Sequence, residues 1–155
     1  MVDSNINGQS APNTGNASSD GRIFSPFTTL AGRACSNGVR PISITAVRLW
    51  AAGVGGTKSM RMFVNFTGFE TYTPWFDIPS AGSAYDVGFK NLADWFNISN
   101  TGSGGYGGNV GMDVSGQSYY GRAVGGSGVY VNNSLLYAGN TLAGSYRFIQ
   151  CPTAP

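Results

Sequence analysis

The chain contains no histidine. Histidine is the side chain that ordinarily shuttles protons near neutral pH, so Ser-His-Asp and Cys-His nucleophilic mechanisms and His-ligated metal chemistry are excluded. Charge is also scarce: 10% of the 155 residues are Asp, Glu, Lys or Arg, against about a quarter in ordinary soluble domains. The surface must therefore be wetted by Ser, Thr, Asn, Gln, Tyr and backbone groups, which makes it neutral and adhesive. The nine basic residues are scattered from Arg22 to Arg147 without a Lys/Arg run, and the net charge is +2. A stripe able to track phosphates is missing, so nucleic acid is not expected as a partner. No run of 18 apolar residues occurs, and Met1-Val2-Asp3-Ser4-Asn5 lacks the basic and apolar regions of a leader. Neither membrane insertion nor a secretion signal is expected. Cysteine is limited to Cys35 and Cys151, which form either a clasp joining the first and last strands or two unpaired thiols. Two distant thiols without histidine do not make a four-ligand zinc site, and no cluster of acids has the alternating spacing of a calcium loop.

What is present is enough for a core. Hydrophobic residues make up 41% and aromatic residues 13%, which suits one domain of this length without staples. Gly is the commonest residue, at 24, roughly twice average usage, and it lies in turn-like clusters with no strict period. Residues Met1 to Gly21, rich in Ser, Asn and Gly, read as an extended polar arm, free in water or laid across a neighbouring subunit. The remainder, 22–155, reads as one β domain. Ile23 to Leu30 opens it, interrupted by Pro26 in the manner of an edge strand or bulge. Ile42 to Ala51 is the clearest strand, with apolar residues on both faces near its end. A Gly-rich turn from Ala52 to Lys58 leads to Met60, Met62, Val64 and Phe66, alternating with Arg61, Phe63, Asn65 and Thr67. That period of two predicts an antiparallel return strand. Thr71 to Ile78 and Tyr85 to Phe89 offer further short strands, and Asn91 to Phe96 is the one place where a helical turn is expected. From Asn109 to Ile149 the chain is a series of hairpins, with Asn132-Asn133 a good two-residue turn. Short strands at this spacing, without a helix-length period, predict an antiparallel β-sandwich of jelly-roll type.

Few residues point to chemistry. Glu70, Asp77, Asp86, Asp94 and Asp113 could in principle supply a carboxylate pair, but none stands in a recognisable motif, and solubilising, turn-forming or salt-bridging roles are expected. No enzymatic activity, cofactor or metal is expected. The GxGxxG-like spacing within Gly102 to Gly108 has no helix after it, so it fails the context that a dinucleotide site requires. Sequons at Asn16, Asn65, Asn97 and Asn132 read as chance matches in an Asn/Ser/Thr-rich chain. The aromatic residues are better candidates. Tyr72, Trp75, Tyr85, Trp95, Tyr106, Tyr119 and Tyr120, beside Gly, Pro or Asn, are candidate contacts for a ligand or a second subunit. An exposed Trp or Tyr face stacks on a sugar ring while nearby Asn, Asp and Gln take its hydroxyls; others of this set belong to subunit packing or to the core.

The stretches ISITAVRLWAAGVGGTKSMRMFVNF and YYGRAVGGSGVYVNNSLLYAGNTLAGSYRFI, in composition and hairpin rhythm, resemble small β-sandwich structural proteins of tailed bacteriophages: minor tail, fibre-tip and capsid decoration proteins. That resemblance implies a virion protein assembled in the host cytoplasm. Its expected partners are copies of itself, often as a trimer, other virion proteins and a host cell-surface glycan. A tail or fibre-tip protein that binds the host surface leads, ahead of a decoration protein that clamps capsid subunits. The competing class is a free carbohydrate-binding module or a small carbohydrate-active enzyme.

Overall fold

The computed structural model describes residues 2–5, 21–28, 41–66, 68–82, 84–98, 107–115, 119–121, 123–125, 129–131, 134–137, 140–142 and 144–150. Cys35, Cys151 and Tyr106 lie outside them, and Tyr119 and Tyr120 are described in backbone only. Among these residues the regular structure is all strand: β1 (Val2–Asn5), β2 (Gly21–Thr28), β3 (Ile42–Gly53), β4 (Lys58–Phe66), β5 (Phe69–Tyr72), β6 (Phe76–Ile78), β7 (Tyr85–Asp86), β8 (Lys90–Ile98), β9 (Gly107–Ser115), β10 (Tyr119–Gly121), β11 (Ala123–Gly125), β12 (Val129–Val131), β13 (Ser134–Tyr137), β14 (Asn140–Leu142) and β15 (Gly144–Gln150).

The strands form two antiparallel sheets and a small β11-β14 ribbon. In the first sheet β3 is central. β15 and β10 lie along one of its edges, β8 and β7 along the other, and β1 extends the sheet beyond β15. The second runs β13-β12-β2-β9-β4, with β5 and β6 sharing the far edge of β4. Ile42, Ile44, Val47, Leu49, Phe96, Ile98, Tyr146 and Phe148 of the first sheet meet Ile23, Met60, Met62, Val64, Val110, Met112 and Val114 of the second in one buried cluster. The fold is a β-sandwich, and each fully buried aliphatic side chain contributes about 1.5–3 kcal/mol to it. The jelly-roll path depends on connections that run in part through residues outside those described.

Local sequence explains most of these elements. In β4, Met60, Met62 and Val64 enter the core and Arg61, Phe63 and Asn65 take the outer face, as the period of two requires. In β3 the core set shifts parity, from Ile42 and Ile44 to Val47, Leu49 and Ala51. The cause is one extra residue, Thr45: Ile44 and Ala46 pair with the adjacent residues Phe148 and Arg147 of β15. Such a bulge exchanges the two faces of a strand. Pro26 of β2 lies beyond Ile23 and Phe24, the two residues paired to β12, so its missing N–H interrupts no described pairing on that side. Val131 pairs with Ser134; the Asn132-Asn133 turn expected between them lies outside the described residues.

Two expectations are corrected. The helical turn at Asn91 to Phe96 is strand β8, because Asn91, Phe96, Asn97 and Ile98 all pair with β3, and tertiary pairing overrides a short local preference. The return strand after the Gly-rich turn does not pair with β3. The turn, with Gly55 and Gly56 at positive φ, carries the chain across the sandwich into the second sheet, where β4 faces the same core from the opposite side.

Gly111 of β9 sits where a side chain cannot: an added Cβ would lie 2.1 Å from the Ile23 carbonyl oxygen and 2.6 Å from Phe24 Cβ. Gly111→Ala should therefore lower stability by about 1–3 kcal/mol, the range of overpacking. Gly82→Ala, which meets nothing within 4 Å, should be near neutral. Urea denaturation of both variants checks this, and equal midpoints would refute the close approach.

Candidate functional site

The outer face of the second sheet carries most of the described ion pairs, ordered by strand register. Arg22 of β2, Asp113 of β9 and Arg61 of β4 are direct cross-strand neighbours, and the next row holds Phe24, Gly111, Phe63 and Tyr72. Asn109, Asn65 and Glu70 make a third row. Paired residues point to the same face, so alternation places all of these side chains together.

Asp113 is the hub. Arg22 donates from Nε to Oδ1 at 2.8 Å and from Nη2 to Oδ2 at 3.1 Å, while Arg61 Nε donates to Oδ2 at 2.9 Å. Arg22 Nη1 also donates to Glu70, which accepts further bonds from the Tyr72 hydroxyl and from Asn65 Nδ2. Asn109 Nδ2 donates to Asn65 Oδ1 at 3.1 Å, and the chain of bonds spans four strands, β2, β9, β4 and β5. Both guanidinium groups also lie on aromatic rings: Arg22 is 3.8 Å from the Phe63 centroid, and Arg61 is 3.7 Å from Tyr72 and 5.0 Å from Trp75. Phe63 is thereby fully buried although it faces away from the main core. Two arginines against two carboxylates leave the network formally neutral. Its groups are fixed by fork geometry and stacking, which makes the face rigid.

The titration of the network follows from these contacts. Burial alone would raise the Glu70 carboxyl, but hydrogen bonds from Arg22, Tyr72 and Asn65 outweigh it and hold the group below its ordinary value. Burial alone would lower Arg22, and its bonds to Asp113 and Glu70 outweigh that and raise it. Tyr72 is raised by its bond to Glu70 and then by burial. Tyr85, on β7, is raised by burial.

Beside this face the two sheets part to leave a cleft of about 400 Å³, lined on one side by Thr73, Pro74 and Phe76 and on the other by Phe89 to Ala93. Both walls are irregular strand edges. Between the pairs Phe63–Tyr72 and Met60–Phe76, three residues oppose two of β4. Pro74, which has no N–H to give a ladder, stands in that bulge. Thr73 ties the bulge down, since its N–H donates to the Met62 carbonyl and its Oγ1 accepts from the Met62 N–H, both at 2.9 Å. On the facing strand, Ile44 and Ala46 of β3 pair with Phe96 and Asn91, so Leu92 to Trp95 leave the ladder. The Thr71 hydroxyl donates to the Asp94 carbonyl at 2.7 Å, and Phe69 packs edge-on against Phe96 at 4.9 Å. These contacts join β5 to β8 across the sandwich margin.

Of the sequence candidates, Tyr72 and Trp75 are brought together on Arg61, and Trp75 is 49% exposed. Trp95 is 50% exposed on the excursion of β8. Tyr85 is half-buried and pairs with Ala51, away from Tyr72 and Trp75 in the strand order. Tyr119 and Tyr120 belong to β10, paired to Gly53 and Ala52. Arg22, Arg61 and Phe63 were not singled out from the sequence, although large side chains opposite Met60, Met62 and Val64 in an alternating strand were a usable signal. Glu70 and Asp113, considered as catalytic acids, are tied to arginines, and Asp86 lies 3.8 Å from Arg48. Among the described residues no three His, Cys, Asp or Glu side chains converge to hold a metal.

Comparison of the chain with protein-family models, curated proteins and solved structures finds no match.

Because the Glu70 carboxyl is lowered on folding, the stability it contributes is present above its ordinary value of 4.5 and is lost as pH falls through the lowered folded value. Glu70→Gln should flatten the acid limb of the stability curve. Urea midpoints measured from roughly pH 6 down to pH 3 test this linkage, and parallel curves for the two proteins would count against a depressed Glu70.

Proposed function

We propose that this chain is a non-enzymatic adhesive module of a virion, of the tailed-phage tail or fibre-tip kind that its sequence resembles. In this proposal it is a sandwich of jelly-roll type, it assembles with copies of itself, as a trimer, and with other virion proteins, and it contacts host-surface glycans. The observation that carries the reading is the setting of Trp75. Its indole is half open to water and stacked on Arg61, which Asp113 holds in place. A rigid aromatic ring in a neutral polar frame, here Tyr72, Asn65, Asn109 and Glu70, suits a sugar: the ring takes its C–H face and the frame its hydroxyls. Little ordering entropy is then lost on binding.

On a glycan array the protein should bind a restricted set of saccharides. Trp75→Ala and Trp95→Ala should each weaken binding about tenfold, in line with the 1–2 kcal/mol of an aromatic contact, without shifting the urea midpoint. Silence across host-derived saccharides would defeat the glycan role. For assembly, sedimentation velocity should show a trimer or larger species, and a stable monomer would favour a free carbohydrate-binding module.

A further inference from the structure

We propose that the cleft between Thr73–Phe76 and Phe89–Ala93 is the specificity pocket of this surface and selects an acidic sugar, whose carboxylate meets Lys90. The inference rests on the glycan reading above and adds the ligand's charge and seat. Lys90 pairs with Val47, a core residue, so strand geometry turns its side chain toward the space between the sheets. An apolar residue would ordinarily fill that register. Instead the ammonium lies 4.8 Å from the centroid of Phe76 at the margin of the core, in the wall of the cleft.

Three features define what fits there. None of the lining residues is a carboxylate, and Lys90 has no ion pair with any described carboxylate, so the cleft carries a positive charge for a ligand to answer. Pro74 and Phe76 supply apolar surface for the body of a ring. The volume lies near the lower end of the range of about 300–1,000 Å³ for small-ligand sites, enough for one or two sugar rings. A neutral sugar would leave the ammonium unanswered. A uronic or sialic acid residue would place a carboxylate on it as a charge-assisted hydrogen bond beside an apolar wall, where such a bond is stronger than in open water. Trp75 stands within one lining stretch and Trp95 two residues beyond the other, so longer saccharides leaving the cleft have aromatic surface at hand.

The test is isothermal titration of the full chain with digalacturonate against its carboxyl-reduced counterpart, digalactose, and with sialyllactose against lactose. At least one acidic member should bind tenfold or more tightly than its neutral counterpart, with affinity falling as salt is added. Lys90→Gln should bring the acidic ligand down to the neutral level, Lys90→Arg should keep most of the preference, and both variants should retain the parent thermal midpoint. Equal affinity for acidic and neutral members overturns the charge assignment while leaving the glycan reading standing. An acidic preference unchanged in Lys90→Gln places the carboxylate elsewhere and overturns the pocket. If no saccharide binds the parent protein, both readings fail together.

Discussion

The architecture depends on a strand buried on both faces. Over twelve residues β3 is flanked on each edge by other strands, and all of its side chains except Arg48 are fully buried. Such a strand must supply apolar groups to the core along its whole length, yet a regular period of two would send Ala46, Arg48 and Trp50 inward together with Ile42 and Ile44. The extra residue at Thr45 resolves the conflict by exchanging the faces at one point, so that Val47 and Leu49 continue the row begun by Ile42 and Ile44. The outer row then holds Arg48, which lies over Trp50 and Phe89, with Arg147 from β15 also over Phe89. Both neighbouring strands follow the same shift.

That shift also positions the cleft. Because β8 must match β3 on both sides of Thr45, it carries four unpaired residues opposite a single one, Leu92 to Trp95, of which Leu92 turns into the core and Ala93 to Trp95 are exposed. On the second sheet, Pro74 forces a smaller departure between β5 and β6. Two defects at adjoining sheet edges leave space that straight strands would have closed. The same two defects set Trp75 and Trp95 out toward water.

Scarcity of charge gives the few ionic groups unusual weight. Arg22, Arg61, Glu70 and Asp113 satisfy one another and lie on aromatic rings, so the outer face of the second sheet is polar, neutral and stiff. Exposed ion pairs on flexible side chains contribute little to stability. Here the consequence of bidentate geometry and stacking is the fixed orientation of Tyr72 and Trp75. Lys90 is set apart from this network and faces the cleft.

Much of this was legible along the chain. The alternation of Met60, Met62 and Val64 with Arg61, Phe63 and Asn65 and the β-branched run from Ile42 are local patterns, and they determined the all-β class and the sandwich. The lack of histidine likewise narrowed the available chemistry before any fold was known. Other features exist only between distant segments. Arg22 and Asp113 are 91 residues apart, and nothing near either one announces the partner. Whether Asn91 to Phe96 turns as a helix or extends is decided by the open edge of β3, and whether the strand after the Gly-rich turn pairs with its predecessor or crosses to the other sheet is decided by the core between them. The chain encodes which faces are apolar through side chains a few residues apart. Register, parity at a bulge and the company an aromatic ring keeps are settled only when remote strands compete for the same hydrogen bonds and the same buried volume.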